Sequence, residues 1–156
     1  MAIEQVRQYF SQYGMEDRIL ELDHTSATVE LAAQALGCEP SHIAKTLSFL
    51  VNGEPILVVA AGDAKISNPG FKHTFGEKPR MIKADQVNEL IGHDVGGVCP
   101  FAVKPGVRVY LDESMKRFGA IYPACGSSNS AIRLTTEELE KYSGSLGWVN
   151  VCKDWQ

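Results

Sequence analysis

Residues 42–61 read HIAKTLSFLVNGEPILVVAA, two apolar segments on either side of Asn52-Gly53. Both turn residues tolerate the positive φ that a type I′ turn requires, so the segment predicts strand, two-residue turn, strand. The second strand, EPILVVAA, is apolar almost throughout. Such a strand belongs in the middle of a sheet covered on both faces, and the rest of the chain has to supply that cover.

The flanking sequence offers the helices. Ile3, Val6, Phe10 and Tyr13 recur at three- and four-residue steps, predicting an amphipathic helix that ends near Gly14, with its aromatic stripe in the core. RILELD reads as a strand, and VELAAQALG as a helix with Ser26 or Thr28 as N-cap and Gly37 as its stop. GDAKISNPGFKHTFGEKP reads as a loop with one helical turn, followed by a short strand around RMI. ADQVNELIG is a helix, GVRVYLD, GAIYPAC and SAIRL are strands, and GWVNVC is a closing strand. Thr135 and Glu138 form a capping box ahead of TEELEKY. Strands at mixed spacing, with helices between and beside them, predict a single α+β domain over 1–156, built on a curved, mixed, barrel-like sheet with flanking helices.

The length of 156 residues suits one domain able to bury about two-thirds of its unfolded surface. With 44% apolar residues it is too apolar for a disordered chain. No apolar run is long enough to span a bilayer, and MAIEQVRQYFSQYG lacks the basic and apolar regions of a signal peptide. A cytoplasmic location with no membrane partner is expected. The oligomeric state is not legible.

The net charge of −4 argues against a protein that coats nucleic acid with its whole surface, but its distribution is uneven. Lys65, Lys72, Lys78, Arg80 and Lys83 stand against Glu77 alone, so residues 65–83 carry +4 and the remainder −8. This stretch is either a phosphate-holding face or an ordinary solvated loop and helix.

Cys38, Cys99, Cys125 and Cys152 are widely spaced, with no CxxC pair and no His at ligand spacing. They predict neither a metal site nor a disulfide framework, and no cofactor is implied. A protein nucleophile would be Cys99 or Cys125, with His24, His73 or His93 as base, although no local motif marks such a site. GxGxxG, Walker A, HExxH and GxSxG patterns are absent from the sequence.

What remains is GHDVGGVCPFAV, residues 92–103. Gly96 and Gly97 lack Cβ atoms and permit positive φ, Pro100 fixes φ, and Cys99 is pushed towards extended geometry. Such a loop can aim N–H groups at a carbonyl without any catalytic side chain, or it can be a turn leading into a strand. ACGSSNSA, residues 124–131, is a second small-residue loop.

Taken in order, IAKTL around Lys45, VVAAGDAKI, GGVCPFAV with its GxxxP core from Gly96 to Pro100, and CGSSNSAIRL followed by a short acidic helix resemble the YbaK/ProX-type aminoacyl-tRNA deacylases. These are free-standing relatives of the editing domain of bacterial prolyl-tRNA synthetase. The resemblance runs from about His24 to Val151.

It implies an editing-domain fold and hydrolysis of the ester linking a wrong amino acid to the tRNA 3′ adenosine. It also implies a catalytic set of Lys45, Gly96, Gly97, Val98, Cys99 and Pro100, with the loop fixing the aminoacyl carbonyl and Lys45 contacting the RNA backbone. His24, Thr25, Gly126 and Ser127 are the implied substrate-binding positions. Lys45, Lys65, Lys72 and Arg80 become candidate contacts to tRNA. Mischarged tRNA(Pro) carrying Ala, Cys or another small amino acid is the implied substrate, with prolyl-tRNA synthetase a further candidate partner. Some relatives carry an acidic residue where this chain reads NSAIRL. Two other readings stay open at this stage: a binding module for aminoacyl-tRNA or a synthetase that hydrolyses nothing, and a thiol-dependent enzyme using Cys99 or Cys125.

Overall fold

A computed structural model describes residues 2–22 and 28–155. In chain order the elements are α1 (Ala2–Ser11), β1 (Ile19–Glu21), α2 (Val29–Leu36), β2 (Ile43–Val51), β3 (Glu54–Ala61), β4 (Lys65–Ile66) and α3 (Asn68–Phe75). There follow α4 (Ala84–Ile91), β5 (Arg108–Asp112), β6 (Ala120–Pro123), β7 (Ser130–Ile132), β8 (Leu134–Thr135), α5 (Thr136–Tyr142), β9 (Trp148–Val149) and β10 (Cys152–Lys153).

The hairpin that organises the sequence also organises the fold. β2 and β3 pair antiparallel from Ala44↔Ala61 to Val51↔Glu54, and Asn52 (φ 53°) with Gly53 (φ 77°) closes them. The six-stranded sheet runs β8-β6-β2-β3-β5-β9. The β2–β6, β3–β5 and β5–β9 pairs are parallel and the others antiparallel, so the sheet is mixed as expected. Two-stranded ribbons, β1 with β7 and β10 with β4, stand beside it. In β3, every residue from Ile56 to Ala61 is buried, which follows from its central place under cover on both faces.

The helices supply that cover. Val6 and Phe10 of α1 are fully buried, Phe10 packing edge-on against Phe101 at 4.8 Å between ring centroids. Tyr13 departs from the predicted core stripe. It lies beyond the end of α1, about half exposed, and packs on Tyr9 and Tyr142 at the surface. Thr28 caps α2 by accepting from Leu31 N, and Gly37 closes it in the left-handed region.

Four predicted segments are revised. The loop predicted over 62–79 contains β4 and the two-turn helix α3, which Ser67 caps and whose Phe71 joins Phe49 at 4.8 Å. RMI forms only the single bridge Phe49↔Met81, because Leu50 and Ile82 each make one backbone bond across it. GWVNVC and SAIRL each divide. β9 pairs with β5 while β10 crosses to β4, and β7 pairs with β1 while β8 crosses to β6.

Candidate active site

β2 carries Lys45 opposite Ala60 of β3, where its side chain reaches past the end of β3 and Nζ donates to the Ala64 carbonyl. Burial pulls its pKa below the usual lysine range. Cys152 and Asp63 oppose that shift, and Lys65 adds to it. Lys45 lies on the wall of a cavity of about 390 Å³ between β2, α2, the start of α4 and the two small-residue loops.

The first loop is held at both ends. α4 stops at Gly92 (φ 101°), Lys104 N donates to the Ile91 carbonyl, and Lys104 Nζ donates to the Glu89 carbonyl at 2.6 Å. Between them Gly97 N donates to the Asp94 carbonyl at 3.0 Å, with Gly96 at φ 94° in the turn. His93 is fully buried and Nε2 donates to the Phe101 carbonyl at 2.7 Å, tying the loop to the aromatic core. Gly97 is pressed against the second loop: a Cβ there would stand 2.7 Å from Ser127 N and 2.8 Å from the carbonyl carbon of Gly126. Gly126 in turn lies under the start of α1, where a Cβ would meet Ala2 and Ile3 backbone atoms at 2.8–2.9 Å.

The predicted site residues therefore separate into two layers. Lys45, Gly96, Val98 and Ser127 line the cavity. Gly97, Cys99, Pro100 and Gly126 are buried behind that lining and fix the loops that form it. Among the described residues, the backbone N–H groups of Gly96 and Val98 have no hydrogen-bond partner, whereas that of Gly97 is spent in its own turn. His24 and Thr25 lie outside the described residues. Lys65, Lys72 and Arg80 are exposed, Lys65 one residue beyond the carbonyl that holds Lys45 and Arg80 one residue before the cavity-lining Met81.

Cys99 does meet one of the predicted bases, Sγ lying 3.6 Å from His93 Nε2. That nitrogen is committed to Phe101, however, and burial pushes the fully enclosed Cys99 thiol up to about 12. Burial also raises Cys125 well above its ordinary value, with Cys99 adding to it. Burial lowers His93 as well, so the pair stays neutral and is sealed from the cavity. A thiolate nucleophile has no support here.

Sequence reading missed much of the lining. Thr46 lies on the wall, and its Oγ1 is buried with no hydrogen-bond partner among the described residues. Ser127 Oγ lies 2.7 Å from Ser130 Oγ, and Asn129 exchanges backbone and side-chain bonds with Leu22, bringing the end of β1 into the wall. Met81 and Val95, 59% and 63% exposed, form an apolar rim. Among the described lining residues Lys45 is the one charged side chain, and there is no carboxylate and no thiol. Such a wall can position an ester and polarise its carbonyl, and its described residues bring no carboxylate, imidazole or thiol to serve as base.

The comparisons with known proteins agree with this geometry. Residues 23–142 match the model of the aminoacyl-tRNA editing domain. "Uncharacterized protein YwhH" of Bacillus subtilis (strain 168) is 50% identical over 157 residues, covering 100% of both chains. Proline–tRNA ligase of Lysinibacillus sphaericus (strain C3-41) is 30% identical over 90 residues, 57% of this chain and 16% of the ligase. The chain thus spans about one-sixth of the ligases it matches.

Among solved structures, a protein proposed to be a trans-editing enzyme for prolyl tRNA synthetase superposes with a TM-score of 0.88 at 25% identity, covering 97% of each chain. Hypothetical protein APE2540 superposes with a TM-score of 0.85 at 30% identity, covering 96% of this chain and 99% of that one. The chain belongs to the family of aminoacyl-tRNA editing domains and is, by that membership, an aminoacyl-tRNA deacylase.

Proposed function

We propose that the chain edits in trans, removing alanine, cysteine or another small amino acid from tRNA(Pro) without a protein nucleophile. The observation that carries this reading is the cavity wall itself, which Lys45, Gly96 and Val98 line: among the described residues the N–H groups of the two loop residues have no hydrogen-bond partner, and the lining has no carboxylate and no thiol. An aminoacyl ester is already activated, so holding it beside water supplies much of the barrier reduction. Water oxygen attacks the ester carbonyl carbon, and the C–O bond to the ribose breaks. The proton lost by water goes to the leaving ribose oxygen through the neighbouring ribose hydroxyl or the substrate's own side chain. The loop N–H groups stabilise the oxyanion, and Lys45 acts electrostatically on the RNA backbone near the 3′ end. Lys65, Lys72 and Arg80 serve as exposed phosphate contacts.

The test is deacylation of Ala-, Cys-, Ser- and Pro-tRNA(Pro) by the wild-type protein and Lys45→Ala. The expected outcome is release from one or more mischarged species with Pro-tRNA(Pro) spared, and a rate roughly 10²-fold lower in the variant, the scale of losing one electrostatic contact in a buried site. Equal rates for both proteins, or release from Pro-tRNA(Pro) alone, would refute the reading.

A further inference from the structure

On the far side of Tyr122 from the cavity lies a second, more open depression, lined by Cys38, His42, Arg117, Phe118, Tyr122 and Arg133 among others. The two share a wall. Tyr122 lines both; Ile43 and Leu36 face the first cavity, while their near neighbours His42 and Cys38 face the second. The depression combines aromatic surface with positive charge, and no carboxylate appears among its described lining residues.

Its two arginines do different work. Arg117 is engaged bidentately with Asp63 (3.0 and 2.6 Å), donates to the Trp155 and Ser114 carbonyls, and lies over the Phe118 ring at 4.7 Å. His42 meets the same ring at 4.3 Å. Arg117 is thus a strut that holds the aromatic floor. Arg133 is exposed between β7 and β8, where its carbonyl accepts from Arg18, and its guanidinium has no ion-pair partner among the described residues. Aromatic faces beside an unspent guanidinium are the composition of a site for an unpaired nucleotide: the rings take the base and the cation takes its phosphate.

Resting on the editing reading, which holds the aminoacyl ester of the tRNA 3′ end in the first cavity, we infer that the second depression binds the unpaired nucleotide next to the terminal adenosine. The 3′ strand then passes over Tyr122, with Arg133 on the phosphate between the two sites. The open ring of the depression is Tyr122, which has no ring or cation contact among the described residues, whereas in the Lys65–Lys83 stretch Phe71 is fully buried and Phe75 is packed between Phe71 and Tyr110. That stretch suits phosphates rather than bases.

The test is a fluorescence titration of the wild type, Arg133→Ala and Arg133→Lys with adenosine and with the trinucleotide CCA, which needs no catalysis. CCA is expected to bind the wild type severalfold more tightly than adenosine. Arg133→Ala should remove most of that advantage and reduce the salt slope of CCA binding by about 0.7, the value for one phosphate on a single strand, while Arg133→Lys retains it. Adenosine affinity should be the same in all three proteins. If CCA has no advantage in the wild type, or Arg133→Ala keeps it, the inference fails. If instead the titration behaves as expected but the wild type deacylates no aminoacyl-tRNA, the editing reading fails and the nucleotide site stands.

Discussion

Gly97 sits where one added methyl group would strike backbone rather than a movable side chain, since Ser127 N and Cα and the Gly126 carbonyl carbon lie 2.7–2.8 Å from its ideal Cβ. Gly97→Ala is therefore expected to cost about 1–3 kcal/mol, the range for overpacking a tight contact, and to push the second loop out of the cavity wall. Urea denaturation would read the first effect and a raised KM for aminoacyl-tRNA the second. A variant as stable and active as the wild type would show that the loops do not depend on this contact. The same residue marks how far sequence reading reaches. The glycine pair is legible as a place needing close approach, but what approaches Gly97 is a loop about thirty residues away, held there by tertiary contacts: α1 packs over Gly126 and Asn129 bonds to Leu22. Lys45 was legible through its surrounding motif. Thr46 carries no local signal, because a threonine in a strand is ordinary until its hydroxyl is seen buried and without a partner among the described residues.

Helix ends were the most readable elements, because caps are local chemistry. Thr28 and Gly37 bound α2, and Thr135 with Glu138 closes the capping box of α5, as their spacing predicts. Ser67, Pro69 and Gly76 carry the same kind of signal for α3, with Pro in the first turn and Gly in the left-handed region at its end; the Gly and Pro content of the stretch masked it. The divided segments GWVNVC and SAIRL were not readable, since which strand each half joins depends on tertiary pairing.

Glu138 does more than cap α5. Arg18 donates to both its carboxylate oxygens, at 2.9 and 3.1 Å, and together with the Thr135 backbone holds its pKa at about 2 against an ordinary 4.5. A carboxylate depressed by folding stabilises the native state above its unfolded value, and that contribution is lost as pH falls through the folded one. Stability of the wild type should therefore exceed that of Glu138→Gln at neutral pH, with the gap closing between about pH 4.5 and 2. Thermal melts of both proteins across that range would show it, and a gap independent of pH would refute it.

Charge is distributed unevenly over the whole molecule, with +4 on residues 65–83 and −8 elsewhere. RNA binding through that stretch should weaken steeply with salt. Removing two phosphate contacts in Lys72→Ala/Arg80→Ala should lower the slope of log K against log[salt] by about 1.8 if the phosphates belong to a duplex. Affinity measured from 50 to 300 mM KCl would test this, and an unchanged slope would free these side chains of any role. The asymmetry is legible in the sequence, and in the fold Lys65, Lys72 and Arg80 are all exposed.

The six-stranded sheet ends at β8 on one side and β9 on the other, each only two residues long. A neighbouring copy pairing with either terminal strand would find only two residues of ladder to continue, and the capping residue Thr135 already turns β8 into α5. The sheet is thereby guarded against edge-to-edge pairing at both of its terminal strands, so concentration of the protein should not polymerise it through them.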